Sequence, residues 1–253
     1  MNQLLVPAFF LTSLLYAMVG FGGGSTYAAI LALTNLDYTL LPVLVLVCNL
    51  VVVTGGVVHY FRAGLLDFKF VLPLVITSVP CALLGGAIPV SQRFFLITLA
   101  AALLVSGVLL VWRRNDISGQ PARPEYWNVK APVLGGGLGF LAGLVGIGGG
   151  VFLAPILHHL KLASPKHIAA AASFFILVNS SAGLIGQLSK HSEETLAPER
   201  FGHLIWLPLA VLVGGQIGSR LSVRVLPGAW IKMLTGVLVT IVGLRLLWQN
   251  SVL

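Results

Sequence analysis

Two glycine clusters, each inside a long apolar run, constrain this chain more than any other feature of its sequence. The first covers residues 20–24 (GFGGG) and the second residues 146–150 (GIGGG). Inside a helix glycine is less favourable than alanine by about 1 kcal/mol per residue, so each cluster is expected to break its helix. In lipid a break leaves backbone polar groups that must pair with protein, water or a ligand. The clusters are therefore the first place to look for a binding site.

The composition places the chain among integral membrane proteins. Of its 253 residues, 57% are hydrophobic and 9% are charged, with a mean hydropathy of +0.99, whereas soluble domains carry about 25% charged residues. The apolar runs are longer than the roughly ten-residue strands of a membrane β-barrel, so an all-α fold in a lipid bilayer is predicted. The net charge of +8 is interpreted as loop charge that orients the protein, and no nucleic-acid partner is expected.

Eight apolar segments are predicted, of which the first and fifth contain the glycine clusters. They are Leu4–Leu33, Leu40–Tyr60, Phe70–Val90, Phe94–Trp112, Ala131–Leu160, Ile168–Leu188, Leu204–Leu221 and Ile231–Trp248. Most have the length of one spanning helix, but the first and fifth are too long for a single straight crossing. The polar stretch 113–130 is predicted to link two halves of one membrane domain, with repeat one at 1–112 and repeat two at 131–253.

Short patterns recur in the same order on both sides of this linker, which predicts an internal duplication. Besides the glycine clusters, they are Leu-Pro-Leu at 72–74 and 207–209, Gly-Gly-x-Ile at 85–88 and 214–217, and a Gly-to-Trp hexapeptide at 107–112 and 243–248. Any single match could arise by chance in so apolar a sequence. The shared order of all four favours two homologous halves.

The basic residues distinguish two topologies. If every segment crosses once, the 15 Lys and Arg residues divide nine to six between the two sides. If segments one and five turn back at their glycines as re-entrant hairpins, the division is eleven to four, which the positive-inside rule favours. Each half then contains one hairpin and three transmembrane helices, and the halves insert as inverted repeats, a common transporter plan. Eight simple crossings with glycine-packed helices are the alternative.

In the hairpin topology the linker 113–130 is cytoplasmic and both termini lie on the periplasmic side. No Lys or Arg precedes the first apolar run. A cleavable signal peptide has a basic start, so none is expected here, and the missing charge agrees with an N-terminus that faces away from the cytoplasm.

The helix after each cluster is predicted to offer unpaired N–H groups and the positive end of its dipole, an arrangement that favours an anion. Two such ends meeting at mid-membrane would hold a small anionic substrate without a buried Lys or Arg. The candidate substrate-binding residues are Gly22, Gly23, Gly24, Ser25, Thr26, Asn49, Gly148, Gly149, Gly150, Ser173 and Asn179. For the Ser and Thr hydroxyls the alternative is helix capping, and for the asparagines it is an interhelical hydrogen bond.

Several functions are disfavoured by what the sequence does not contain. No Asp or Glu lies deep in an apolar run, which argues against a carboxylate proton relay. No nucleophile elbow, zinc-ligand spacing or phosphate loop is present, so no enzyme activity, metal or cofactor is expected. Cys48 and Cys81 are interpreted as small buried residues. The sequence leaves the oligomeric state open, a homodimer included.

The doubled glycine motif resembles that of the TauE/SafE family of sulfite-exporter-type permeases, and the resemblance covers nearly the whole chain. Supporting residues are Arg62, Gly64, Asp67, Pro155, Pro165, Lys166, His167, Ala171, Ser173, Ser181 and Gly183. Two positions depart from the family pattern. Ala172 stands where the family often has Thr before the Ser, and residues 190–203 lack the Gly-x-x-Asp that the first half has at 64–67.

The resemblance implies a permease for small sulfur-containing anions, such as sulfite, thiosulfate, sulfoacetate or other sulfonates, in a bacterial cytoplasmic (inner) membrane. Export is the usual direction in the family. With the cytoplasm negative, moving one anionic charge outward gains about 2.3 kcal/mol per 100 mV, so an exporter would need no coupling ion. The alternatives are an ion-coupled uptake carrier for a small organic anion and a non-transport membrane assembly protein.

Overall fold

The computed structural model describes residues 4–18, 20–34, 36–111, 127–160, 162–190 and 204–221, with positions 237, 240, 241, 244, 247 and 248. In this part of the chain, nine helices are continuous and there are no strands. They are α1 (Leu5–Ala17), α2 (Gly24–Ala32), α3 (Leu40–Arg62), α4 (Phe68–Ala87), α5 (Gln92–Val111), α6 (Trp127–Val145), α7 (Gly150–His159), α8 (Pro165–Ser189) and α9 (Trp206–Leu221). The predicted eighth segment, Ile231–Trp248, lies outside the described residues apart from those isolated positions.

Four of the described helices, α3, α4, α6 and α8, are long and apolar enough to cross a membrane. Two further apolar helices, α1 and the part of α5 from Gln92 to Val108, are shorter. Large apolar side chains also cover the outside, where Ile76, Val133 and Ile185 are each more than half exposed. The prediction of an all-α integral membrane protein is confirmed.

Both predicted helix breaks are present. The helix α1 ends at Ala17 and α2 begins at Gly24, while α6 ends at Val145 and α7 begins at Gly150. Glycines with φ between 72° and 80° shape each break: Gly20, Gly23, Gly146, Gly148 and Gly149. A side chain in this left-handed region costs roughly 1–2 kcal/mol, which is why glycine allows the chain to change direction here.

At the first break the chain folds back on itself. The rings of Phe9 in α1 and Tyr27 in α2 stack with centroids 4.7 Å apart, and the Tyr16 hydroxyl lies 2.5 Å from Oγ1 of Thr26. In a continuous helix Phe9 and Tyr27 would be roughly 27 Å apart. The short helix α2 therefore returns along α1, as a re-entrant element requires.

The second cluster also folds back along its preceding helix. A Cβ atom on Gly149 would lie 3.0 Å from Cβ of Ala142 and 3.6 Å from the carbonyl oxygen of Leu138. A straight helix would separate Gly149 from Leu138 by roughly 16 Å. Both clusters thus have the geometry of a chain reversal. The inverted orientation of the two halves stays a prediction.

Glycines spaced four apart bring the helices into close contact. Along α6, Gly135, Gly139 and Gly143 lie directly against the backbone of α4, and along α9, Gly214 and Gly218 lie against the backbone of α1. Small residues at this spacing let helix backbones approach in a membrane, where van der Waals packing is the main attraction. The first arm of each hairpin thus packs on a helix from the other predicted half, while α3 and α8 pack together between them.

The helix α6 begins four residues before the predicted apolar segment. The indole of Trp127 stacks on Phe70 of α4, with ring centroids 5.1 Å apart, and its Nε1 donates a hydrogen bond to the Phe70 carbonyl oxygen at 3.2 Å. These contacts bury Trp127 and extend the helix over residues 127–130, which the sequence placed at the end of the linker.

Candidate functional site

The side chain of Asn49, in the middle of α3, contacts both glycine clusters. It is fully buried, and its Nδ2 donates a hydrogen bond to the carbonyl oxygen of Ile147 at 3.1 Å. A Cβ on Gly22 would lie 2.6 Å from Asn49 Oδ1, and a Cβ on Gly148 would lie 2.8 Å from Asn49 Nδ2. Gly24 lies equally close to this amide. One polar side chain therefore lies where the two breaks meet.

Ile176 of α8 also contacts glycines of both breaks. A Cβ on Gly22 would lie 3.2 Å from its Cγ2, a Cβ on Gly148 would lie 3.0 Å from the same methyl group, and Gly150 lies against its Cδ1. Gly22 and Gly148 hold equivalent places in the two clusters, as do Gly24 and Gly150. Asn49 and Ile176 therefore contact equivalent glycines of the two clusters, the first with an amide and the second with an aliphatic side chain.

Several fully or almost fully buried polar atoms in the described residues accept or donate no hydrogen bond to the protein. They include Oγ of Ser25, Oδ1 of Asn49, Oδ1 of Asn179 and Oγ of Ser180. The Ser180 hydroxyl lies 2.7 Å from the position that a Cβ on Gly148 would take, beside Asn49 Nδ2. Buried polar atoms are nearly always paired in proteins. The two hydroxyls can therefore donate to a ligand or to water, whereas the two amide oxygens can only accept.

The electrostatics of the site come from the backbone. Every buried polar side chain that the structure describes is uncharged. The first helix-type hydrogen bonds of α2 and α7 are donated by Thr26 and Phe152, to the carbonyls of Gly23 and Gly149. The amides that precede them lack an acceptor within the helix and lie at the positive end of its dipole. Both helices therefore point their electropositive ends at the region around Asn49.

Other candidate residues make structural hydrogen bonds. Oγ1 of Thr26 pairs with the Tyr16 hydroxyl within the hairpin, and Oγ of Ser173 donates to the carbonyl oxygen of Gly20 at 2.6 Å, which fastens α8 to the first cluster. Asn179 donates from Nδ2 to the carbonyl oxygen of Phe175 in its own helix at 2.8 Å. These bonds position the site and leave ligand contact by these three side chains as a prediction.

The glycines that cap α2 and α7 have a conformational role. Gly23 and Gly149 are the residues immediately before these helices, with φ of 80° and 77°. A Cβ on Gly23 would lie 2.9 Å from the Tyr27 ring. Both positions therefore require glycine for the turn itself, whether or not their amides also contact a ligand.

Comparison with known proteins identifies the family. The family model described as "Sulfite exporter TauE/SafE" matches residues 5–246. The chain belongs to the TauE/SafE family. It is 32% identical over 248 residues to "Probable membrane transporter protein y4hK" of Sinorhizobium fredii, covering 96% of this chain and 97% of that protein. It is also 24% identical over 269 residues to "Probable membrane transporter protein YunE" of Bacillus subtilis, covering 92% and 93%. No solved structure matches the chain.

This TauE/SafE protein is therefore a multi-pass membrane transporter rather than an enzyme, as the sequence predicted. Two residues at the breaks, Ile176 and Ser180, are absent from the sequence-based set of candidates. With Ser173 they lie three and four residues apart along α8, which puts all three on one face of the helix. The sequence shows this spacing, but an isoleucine has no polar group that would indicate a binding-site residue.

Proposed function

We propose that this TauE/SafE protein exports small sulfur-containing anions, namely sulfite, sulfoacetate or related sulfonates. The observation that carries the proposal is the position of Asn49, which contacts both glycine breaks while α2 and α7 direct their N-termini toward it. The description of the matching family supplies the sulfur chemistry. The names of the two relatives supply transport but no substrate.

The site would hold an anion through neutral donors. A helix N-terminus attracts negative charge by roughly 0.3–1 kcal/mol, and by more in partly buried geometry, and here two such ends act together. The hydroxyls of Ser25 and Ser180 add hydrogen-bond donors. Asn49 has one further N–H on Nδ2, besides the one that it donates to Ile147, whereas its unpaired Oδ1 can only accept. No buried Lys or Arg lies among the described residues. An anion held this way can leave again, because it forms no strong ion pair.

The proposed location is a bacterial cytoplasmic membrane, with the linker 113–130 in the cytoplasm and both termini outside. In this topology the exposed side chains of Arg62, Lys69, Lys166 and Arg220 all lie at cytoplasmic helix ends. Such a bias agrees with the positive-inside rule. Outward movement of an anion follows the membrane potential, about 2.3 kcal/mol per charge per 100 mV, so we propose transport without a coupling ion.

The test is transport by the purified protein in liposomes under a controlled potential. Liposomes loaded with sulfite or ethanesulfonate receive a potassium diffusion potential of either sign, with protein-free liposomes as the control. Efflux should accelerate when the compartment holding the anion is negative, and a proton gradient alone should have no effect. Efflux that follows the proton gradient and ignores the potential would instead support the ion-coupled carrier. Absence of flux for every anion would contradict the permease.

A further inference from the structure

The first glycine of each cluster is held against a spanning helix. Gly20 and Gly146 are these two residues, and both are buried. Oγ of Ser173 in α8 donates a hydrogen bond to the Gly20 carbonyl oxygen at 2.6 Å, and a Cβ on Gly20 would lie 2.9 Å from the Tyr60 hydroxyl near the end of α3. A Cβ on Gly146 would collide with Cβ of Pro42, near the start of α3. We call these two sets of contacts the Gly20 clamp and the Gly146 clamp.

The contacts of the glycine clusters show that α3 and α8 run antiparallel. The hydroxyl of Tyr60 and Cβ of Ala169 each lie 2.9 Å from one Cβ position in the first cluster. Nδ2 of Asn49 and Oγ of Ser180 lie 2.8 Å and 2.7 Å from one Cβ position in the second cluster. Residue numbers therefore fall along α8 as they rise along α3. The end of α3 lies beside the start of α8.

The two clamps lie on opposite sides of the candidate site. Ser173 precedes Ser180 by seven residues in α8, and Pro42 precedes Asn49 by seven residues in α3. Seven residues span roughly 10 Å along a helix. Because the two helices are antiparallel, Ser173 lies toward one face of the membrane and Pro42 toward the other. A substrate between Asn49 and Ser180 thus has one clamp on each side.

The clamps differ in chemistry. Asn49 and Ser180 are fully buried, so a substrate reaches them only when one side opens. The Gly20 clamp contains a hydrogen bond from a side chain, whereas Pro42 makes an apolar contact with Gly146. Loss of one hydrogen bond shifts a conformational equilibrium by about two- to tenfold. Removing the Ser173 hydroxyl therefore weakens one clamp and leaves the other intact.

We infer that the two glycine breaks are the two gates of the transport path: the first, latched by the Ser173 hydroxyl, closes the site toward the start of α8, and the second, held by Pro42, closes it toward the start of α3. Ser173 is thus a positioning residue that acts through Gly20. The inference goes beyond the proposed function, because it requires transport, which the family shows, but no particular substrate.

The experiment measures from which side a small, membrane-impermeant thiol reagent reaches the site. In a protein with Cys48 and Cys81 replaced by alanine, Ser180→Cys places a thiol at the site. A separate single cysteine at the exposed Lys166 shows which side of the membrane the start of α8 faces. Intact cells and inverted vesicles are each treated with the reagent. Adding Ser173→Ala should raise the labelling rate of Ser180→Cys about two- to tenfold from the Lys166 side and leave the other side unchanged.

Two further variants complete the test. Ser106→Ala is the matched control, because Ser106 is fully buried in α5 and its Oγ donates to the carbonyl oxygen of Ala102 in its own helix at 2.6 Å. It should leave labelling unchanged from both sides. Pro42→Gly removes the side chain that contacts Gly146 and should raise labelling only from the side opposite to Lys166.

The sidedness of labelling separates gating from a general loss of stability. A rate that rises equally from both sides in Ser173→Ala, or that does not change, would overturn the inference. Faster labelling of Pro42→Gly from the Lys166 side would also overturn it. If Pro42→Gly fails to fold, Ser173→Ala and its Ser106→Ala control decide by themselves. None of these outcomes depends on which anion is transported, so the proposed function is tested separately.

Discussion

Asn49 of α3 and Ile147 of the second glycine cluster are joined by a hydrogen bond of 3.1 Å between residues 98 positions apart in sequence. The bond connects a spanning helix of the first predicted half to the helix break of the second. It satisfies a backbone carbonyl that the break would otherwise leave without a partner, which is what a non-helical segment in a membrane requires. The same side chain also lies against Gly22 and Gly24 of the first break.

Replacing Asn49 by Asp keeps the shape of the side chain, removes the donor to Ile147 and introduces an ionisable acid. We expect KM for the transported anion to rise at least tenfold, because a negative charge at the site opposes another. Stability should fall by about 1–3 kcal/mol, since a buried carbonyl loses its partner. Initial rates in liposomes and thermal unfolding in detergent measure the two effects separately.

The matched control is Gln187→Glu, the same amide-to-acid change at another fully buried residue outside the candidate site. Gln187 donates from Nε2 to the carbonyl oxygen of Gly143 at 2.8 Å, so this variant should lose a similar amount of stability with a much smaller change in KM. If both variants raise KM equally, the distinction between the two amides fails. If neither does, Asn49 does not contact the transported anion.

The glycine contacts between α4 and α6 predict opposite effects for two neighbouring substitutions. A methyl group on Gly139 would collide with the backbone of Ser78, so Gly139→Ala should destabilise the protein by about 1–3 kcal/mol. Gly137, in the same helix, has nothing within 4 Å of its Cβ position, and Gly137→Ala should stabilise by up to about 1 kcal/mol. Thermal unfolding of the two variants measures both changes in stability. Equal changes in stability would mean that α4 and α6 are farther apart than in this structure.

The hairpin at the first cluster predicts which side of the membrane its two ends face. The test first replaces Cys48 and Cys81 by alanine and then introduces a single cysteine at Leu4 or at Thr34. Intact cells and inverted vesicles are each treated with a membrane-impermeant thiol reagent. We expect both to react from the same, outer side, because α2 returns along α1. Labelling from opposite sides would mean that residues 4–33 cross the membrane once.

Lys190, which follows the last residue of α8, predicts a pH dependence of stability. Burial lowers the pKa of Lys190 below its ordinary value of 10.5, and its Nζ donates to the carbonyl oxygen of Ile88 at 3.4 Å. Between the lowered pKa and 10.5 the unfolded chain holds more protons than the folded chain. Stability should therefore rise as the pH increases through this range, whereas at lower pH the cost of burying the charge is fully present.

The variant Lys190→Gln removes this titration. Its free energy of unfolding in detergent should rise less than that of the wild type between neutral pH and pH 10.5, so the difference between the two proteins changes with pH. Comparing the two at each pH cancels the other titrating groups. A difference that stays constant over the range would show that Lys190 has an unperturbed pKa in the folded protein.

The sequence predicted the helix breaks correctly because they depend on local chemistry. Consecutive glycines cannot continue a helix at low cost, and the positive φ of Gly23 and Gly149 follows from the same property. The confirmed all-α membrane fold likewise depends only on composition and on the lengths of apolar runs. These features need no knowledge of which segments are neighbours.

Features that depend on neighbours were harder to predict. The spacing of Gly135, Gly139 and Gly143 was visible in the sequence and is typical of close helix packing, but it does not reveal that α4 is the partner. Ile176 could not be recognised, because its importance arises only where α8 meets both breaks. The proximity of Asn49 and Ile176 to the same glycines could not be predicted either, since side chains from different helices meet only through tertiary packing.

The packing of α1 on α9 also concerns how the protein is made. Gly214 and Gly218 form the surface on which Phe10 and Leu14 rest, yet about 200 residues separate the two helices in the chain. At about 5–20 residues per second, a ribosome needs on the order of 10–40 s to deliver α9 after α1 has emerged. Throughout that interval the nascent α1 lacks the helix against which its backbone packs in the folded protein.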